Sequence, residues 1–232
     1  MERIISRLEP LLTEERVRRM KAVLAGRSDH VAFVFERMVD PHNLSAVLRS
    51  MDAMSFQDAH LIEPAERVGL SRGITIGAER WLSLHHHPDA AACMEKLREA
   101  GYRVYASLVA GGQGMPLKEI DFSHRTALVF GNEHAGVGPE AVALADGTFH
   151  IEMRGFVESL NLSVAAAICA YHARDSLERL QRAGNAGAGG EGFLLSGERR
   201  RVIYVEWLRA SVKKADQIIA ELEEREGESG VE

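Results

Sequence analysis

The sequence predicts an α/β fold, a mostly parallel sheet with helices on both faces, flanked by further helices at its two ends. Three observations predict it. Short, nearly unbroken apolar runs recur through the middle of the chain, as strands buried on both faces require. Segments of helical period separate them at the spacing of βα units. Clusters of glycine, proline and polar residues close the apolar runs, where such sheets bind ligands.

Residues 13–25, "TEERVRRMKAVLA", read as a helix. Thr13 is its N-cap, with acid in the first turn and base later, the order that the helix dipole favours. The alternation then begins with a strand at 31–38 ("VAFVFERM"), a helix at 44–54 and a strand at 59–64. A strand at 82–87 ("LSLHHH") leads into a helix at 89–101 closed by Gly101. Strands follow at 103–109, 126–132 and 147–153, the last two separated by a short helix opened by Pro139. A long small-residue helix runs from about 162 to 183, and 196–226 reads as one charged helix with Val202, Val205, Leu208, Val212, Ile218 and Ile219 on broadly one side. The expected organisation is a basic helical extension at 1–27, a catalytic domain at 28–183, a glycine-rich linker at 184–192, and a C-terminal helix with acidic tail at 193–232.

With 232 residues, 46% of them hydrophobic, the chain can bury a sizeable core without disulfides. Cys93 and Cys169 lie in helical patterns without partner spacing and read as buried, reduced thiols. There is no signal peptide and no apolar run long enough to span a membrane, so a cytoplasmic protein is expected. The net charge of −6 conceals an uneven distribution. Acid crowds the tail "ELEEREGESGVE", while base gathers at Arg16, Arg18, Arg19 and Lys21 and again at Arg199, Arg200, Arg201, Arg209, Lys213 and Lys214. Each basic cluster suits either a solvated helix face or a nucleic-acid interface.

The strand ends carry the chemistry. Asp40-Pro41-His42-Asn43 follows the first strand, "AGGQGMP" follows 103–109, "EHAGVGPE" follows 126–132 and "RGFVESLN" follows 147–153. None is a P-loop or a dinucleotide fingerprint. Gly131, Gly136 and Gly138 fit plain turn glycines, or equally a cofactor laid across backbone at several strand ends. His85, His86 and His87 alternate between the sheet faces, and with no acidic or cysteine partner at ligand spacing no metal site is expected. Two helices open on Asn-Leu-Ser, at Asn43 and at Asn161. Capping accounts for one asparagine in each. It leaves Glu158-Ser159 unexplained, and Arg49 too, the single charge in "LSAVLRSM".

At these residues the chain resembles the SpoU branch of the SPOUT methyltransferases, and within it the TrmH-type enzymes that modify tRNA guanosine at the ribose 2′-oxygen. "DPHNLSAVLRS" (40–50) is similar to the family's first motif, with Asn43 and Arg49 at its asparagine and arginine. "ALVFGNEHAGVGPEA" (127–141) is similar to the second, with Glu133 at its glutamate. "FHIEMRGFVESLNLSVAAAICAYHA" (149–173) is similar to the third, with Ser159 and Asn161 in place. The resemblance runs from about 31 to 180 in correct order and spacing.

The resemblance implies S-adenosylmethionine-dependent methyl transfer to a ribose 2′-hydroxyl, a homodimer with active sites at its interface, and a C-terminal trefoil knot, an exception to the usual rule against threading. It implies a cofactor held by Ser107, Leu108, Gly131, Ile151, Met153 and Leu160. It makes Arg49 the general base, yet a guanidinium pKa above about 12 keeps that side chain charged. Arg49 is therefore expected to bind the substrate phosphate or the developing alkoxide, or to take the proton as the oxygen attacks, with Ser159 and Asn161 positioning ribose, Arg49 and cofactor. Asn43 and Glu133 are expected to hold Arg49 and the surrounding loops in place. The expected substrate is tRNA at guanosine 18 of the D-loop, because only about 27 residues precede the first strand where enzymes acting on ribosomal RNA often carry an added domain. Ribosomal RNA, another tRNA position, or an inactive RNA-binding protein of the same fold are the alternatives.

Overall fold

The computed structural model describes residues 1–38, 40–63, 77–109, 114–185 and 192–221. The chain divides into two compact units, one made of Met1–Arg27 with Leu195–Glu232, the other of Ser28–Leu194.

In the first unit, α1 (Glu2–Leu8) and α2 (Glu14–Ala25) pack with the C-terminal helix α7 (Gly197–Ser211), labelled here in chain order with the helices below. Thr13 caps α2 as expected, accepting from the Arg16 amide at 3.3 Å. Tyr204 of α7 donates to the Glu9 carboxylate at 2.7 Å, which also pairs with Lys21 at 2.9 Å. The single helix expected over 196–226 does not form. α7 ends at Ser211, Val212 is extended, and Lys214 takes a left-handed φ of 59° before helical structure resumes at 215. The buried side of α7 is also broader than the expected stripe, including Ile203, Tyr204, Val205, Trp207 and Leu208. The acidic tail from 222 onward lies outside the described residues, as do 186–191 of the glycine-rich segment.

The second unit is built on seven strands: β1 (Val31–Glu36), β2 (Asp58–Ile62), β3 (Ser83–His87), β4 (Arg103–Ser107), β5 (Met115–Pro116), β6 (Thr126–Phe130) and β7 (Gly147–His150). They form one sheet in the order β3-β2-β1-β6-β4-β7-β5, and every pairing is parallel. The two-residue β5 was not foreseen; its Pro116 is tolerated because it lies at the sheet edge.

The strands sort their side chains by size. Phe33, Phe35, Leu128 and Phe130 face one core, which α3 (Pro41–Ala53) and α6 (Leu162–Arg182) cover. Ala32, Val34, Ala127 and Val129 face the other, covered by α4 (Ala90–Glu99) and α5 (Pro139–Leu144). Strict alternation along β1 and β6 thus gives a bulky aromatic layer on one face and a thin aliphatic layer on the other. Arg174 of α6 clamps the end of α3, donating to the carbonyls of Met54 and Ser55 at 2.8 Å each. Cys93 and Cys169 are buried free thiols, and burial raises the pKa of both, that of Cys93 to about 12. No helix among the described residues is long and apolar enough to cross a membrane.

Candidate active site

The carboxyl ends of β6, β4 and β7, neighbours in the sheet, open into a cleft of about 660 Å³. That is the size of a cofactor pocket. The segment after β4 brings Ser107 and Leu108, the segment after β6 brings Gly131 to Val137, and the segment after β7 brings Ile151, Met153 and Glu158 to Leu162. All six residues expected to meet a cofactor line this cleft, although β4, β6 and β7 end earlier than the apolar runs suggested. Of the sequence "AGGQGMP", residues 110–113 lie outside the described residues.

The loop after β6 is closed on itself. Asn132 and Gly136 exchange backbone hydrogen bonds of 3.0 and 2.8 Å, and the Asn132 side chain accepts from the His134 amide at 2.8 Å. Gly131 lies so close under this turn that a Cβ there would sit 1.9 Å from the Gly136 carbonyl carbon. Gly136 itself has φ +68°, a conformation suited to glycine. The buried carboxylate of Glu36, at the end of β1, accepts from the Gly138 amide at 2.7 Å and fixes the far end of the turn. Glu36 and Asn132 were not singled out from the sequence. The one available signal was an acid closing the otherwise apolar strand "VAFVFE".

Three motif side chains meet at the cleft mouth. Asn43 donates through Nδ2 to Glu133 Oε1 at 2.8 Å. Asn161 donates through Nδ2 to Asn43 Oδ1 at 3.2 Å. Asn161 Oδ1 in turn accepts from the Ser163 amide at 2.8 Å and from its hydroxyl at 2.6 Å, and so caps α6. Asn43 does not cap its own helix. Asp40 does so, accepting from the His42 amide at 2.9 Å with Pro41 in the first turn. Asn43 thus falls inside the helix, where its amide is free to join Glu133 to Asn161.

Two expected site residues stand apart from this network. Ser159 lines the cleft but is exposed. Arg49 lies outside the cleft, exposed on α3, and forms no hydrogen bond or ion pair among the described residues. Six residues separate it from Asn43, which on a helix is about 9 Å of rise and about 240° of rotation. Glu133 holds Asn43, which joins the loop after β6 to α3. Of the N-terminal basic group, Arg16, Arg18, Arg19 and Lys21 are all exposed. Helical spacing puts Arg16 and Arg19 on one side of α2 and Arg18 and Lys21 on another.

The cleft suits S-adenosylmethionine. Leu108, Ile151 and Leu160 offer apolar walls, while the turn over Gly131 brings backbone, not side chains, to the floor. Such a lining holds a ligand by main-chain polar groups and apolar packing.

A parallel α/β sheet with a cleft at its strand ends, where three motifs are joined, defines a ligand-binding α/β protein. Comparison with known proteins narrows it. Residues 30–171 match the SpoU rRNA Methylase family. A tRNA (guanosine(18)-2′-O)-methyltransferase from Thermus thermophilus is 40% identical over 162 residues, covering 70% of this chain and 83% of that protein. Among solved structures, the A. aeolicus TrmH/SpoU tRNA modifying enzyme superposes with a TM-score of 0.71 at 25% identity, covering 87% of this chain and 98% of that one. An AdoMet-bound rRNA methyltransferase from Sinorhizobium meliloti has a TM-score of 0.57 at 27% identity, covering 66% of this chain and 59% of that one. The chain belongs to the SpoU rRNA Methylase family. It is an S-adenosylmethionine-dependent RNA 2′-O-methyltransferase.

Proposed function

We propose that the substrate is tRNA, methylated at the ribose 2′-hydroxyl of guanosine 18 in the D-loop, and that the enzyme works as a cytoplasmic homodimer. The observation that carries the reading is the linked set Glu133–Asn43–Asn161 at the mouth of the cofactor-sized cleft. The Thermus relative, which acts on that nucleotide, supports the choice of substrate.

S-adenosylmethionine supplies a methyl group already activated on a sulfonium. Ser107, Leu108, Gly131, Ile151, Met153 and Leu160 would hold it. The protein's work is then to align the ribose oxygen and to stabilise the charge that develops on it, effects worth several kcal/mol in well-oriented systems. Asn43 and Asn161 orient the mouth of the cleft, and Ser159 stands where it can bond the ribose. Arg49 binds the developing alkoxide or an adjoining phosphate through its planar fork.

Arg49 does not line the cleft of its own chain, and a second copy would supply it. Val164, Ile168 and Tyr171 form an exposed apolar row at i, i+4 and i+7 on α6. With Ala46 and Ser50 of α3 they line an open groove of about 660 Å³. Arg49 stands one turn beyond Ala46, on the same exposed side. Covering this groove with another chain buries the row and carries Arg49 into the interface. Arg16, Arg18, Arg19 and Lys21 would dock RNA phosphates, supplying affinity without sequence information. The trefoil knot is proposed from membership of the family alone.

The test is methyl transfer from labelled S-adenosylmethionine to unmethylated tRNA transcripts and ribosomal RNA fragments, with the product nucleoside mapped. A 2′-O-methylguanosine in the D-loop, lost in Arg49→Ala, is the expected result. Transfer to ribosomal RNA alone would overturn the tRNA reading and keep the chemistry.

A further inference from the structure

The histidine run at the edge of the sheet has partners that sequence spacing concealed. His85 and His87 share one face of β3, as alternation requires. The register pairs His60 of β2 with His85 and Ile62 with His87, which puts His60 on that face as well. There His60 Nδ1 and His87 Nε2 lie 2.9 Å apart, with their rings stacked at 5.2 Å. Cys93 of α4 packs over the same face. The donor atoms of His60, His87 and Cys93 all lie within 4.8 Å of one another, and all three residues are buried.

We propose that His60, His87 and Cys93 form a zinc site that joins the edge strand β3 to β2 and α4. A tetrahedral zinc with bonds of about 2.0–2.1 Å to nitrogen and about 2.3 Å to sulfur needs donors roughly 3.4–3.6 Å apart. The two imidazoles must open by about half an ångström, and the thiol must close by about an ångström at most. Two imidazole nitrogens and one thiolate are a borderline-to-soft set, the kind zinc prefers over magnesium or calcium.

The surroundings agree. Asp58 and Asp89 face His60 and His87 respectively and offset the net positive charge that zinc with one thiolate would leave. Asp58 also accepts from His85 Nε2 at 2.8 Å, and the His85 ring stacks on His60 at 4.6 Å, which holds the ligand's orientation. Binding proceeds with a simple balance. The thiol of Cys93 loses its proton to solvent as the Zn–S bond forms. The imidazole that donates the mutual hydrogen bond moves that proton to its other ring nitrogen. Three protein donors leave one tetrahedral position to a water. The site lies on the α4 side of the sheet, away from the methyl-transfer cleft.

The experiment uses the full, untagged chain, stripped with a chelator and titrated with zinc against a chromophoric chelator. Cobalt then replaces zinc for spectroscopy. One equivalent bound per chain, micromolar or tighter, is expected, and the cobalt form should show a thiolate charge-transfer band in the near ultraviolet. Cys93→Ser should abolish that band and Cys169→Ser should keep it. His87→Gln should weaken zinc binding by at least ~100-fold, beyond the loss that orienting partners produce, while methyl transfer is unchanged. Should Cys93→Ser fail to fold, zinc must shield Cys93 of the wild-type chain from a thiol reagent, mapped by mass spectrometry. Substoichiometric uptake, a band that survives Cys93→Ser, or an unshielded Cys93 would each overturn the site and leave an ordinary hydrogen-bonded histidine pair.

Discussion

The side-chain amide of Asn161 donates to the Asn43 carbonyl oxygen at 3.2 Å, bridging 118 residues of chain and joining the starts of α3 and α6. Asn43 spends its own N–H on Glu133, so each asparagine donates once and accepts at least once along a single directed chain. Direction matters in such a network, because a reversed group leaves a partner unpaired. Asn43→Asp should therefore harm activity more than Asn43→Ala: it sets a carboxylate against Glu133 in place of a donor. The expected fall in kcat is about 10- to 100-fold for Asn161→Ala, with a combined Asn43→Ala/Asn161→Ala variant losing less than the product of the single effects. Steady-state kinetics on the four proteins of the cycle gives the answer; full multiplicativity would mean that the bond is incidental.

Gly131 makes a separate prediction. Its Cβ position is filled by Gly136 backbone at 1.9 Å, and backbone cannot swing aside as a side chain can. Gly131→Ala should reopen the turn that Asn132 and Glu36 hold closed, and it should cost more than ~2 kcal/mol of stability, in the range of overpacking. S-adenosylmethionine binding should fall further than Tm alone explains. Gly155, which has open space around its Cβ position, is the control: alanine there should leave both unchanged.

What the sequence could show and what it could not divides along physical lines. The parallel sheet was legible because β1 and β6 are buried on both faces and their apolar runs are nearly unbroken, whereas β2, equally buried, carries Asp58 and His60 within its run. The cleft was legible because strand exits and motif spacing both mark it. Side-chain partnership was not. Asn43 reads as an N-cap until Asp40-Pro41 is seen to take that role, and Glu36 reads as a strand end until Gly138 is found on it. The break at Lys214 was hidden because no glycine or proline announces it. His60 and His87 are 27 residues apart and meet only through the β2–β3 register, which spacing along one strand cannot reveal.

Acid should weaken the fold through His30. This imidazole is buried, its Nε2 lies 3.0 Å from the Phe122 carbonyl, and its ring meets Phe193 edge-on at 4.7 Å. Burial lowers its pKa below the ordinary imidazole value, with Arg125 acting in the same direction. The unfolded chain thus binds a proton more readily than the folded one. Stability is whole above about pH 6.5 and declines as pH falls below it, by at most ~1.4 kcal/mol per pH unit for one group. Urea unfolding of chelator-treated protein between pH 5 and pH 8 checks the sign, to order of magnitude. His30→Gln should flatten the slope there, and an unaltered slope would remove His30 from the account.

Arg49 supports the sharpest prediction, because its place on the outer side of α3 separates methyl transfer from cofactor binding. Arg49→Ala should lower kcat by at least ~100-fold, the scale of losing one charge-stabilising donor, while S-adenosylmethionine affinity stays within a factor of about two. Arg49→Lys should restore little, since an ammonium lacks the planar fork. Tyr171→Glu, placing a charge in the apolar row of α6, should yield monomers by sedimentation and lose activity although every motif residue is intact. The decisive experiment mixes two impaired variants, Arg49→Ala and Asn161→Ala, and allows their subunits to exchange. If Arg49 serves the cleft of the other copy, each mixed dimer pairs one intact cleft with one intact Arg49, and about a quarter of wild-type activity should return, because half of the dimers are mixed and each has one working site. If Arg49 serves its own cleft, every mixed dimer carries one variant of each kind in separate defective sites, and activity stays at the mean of the two variants measured alone.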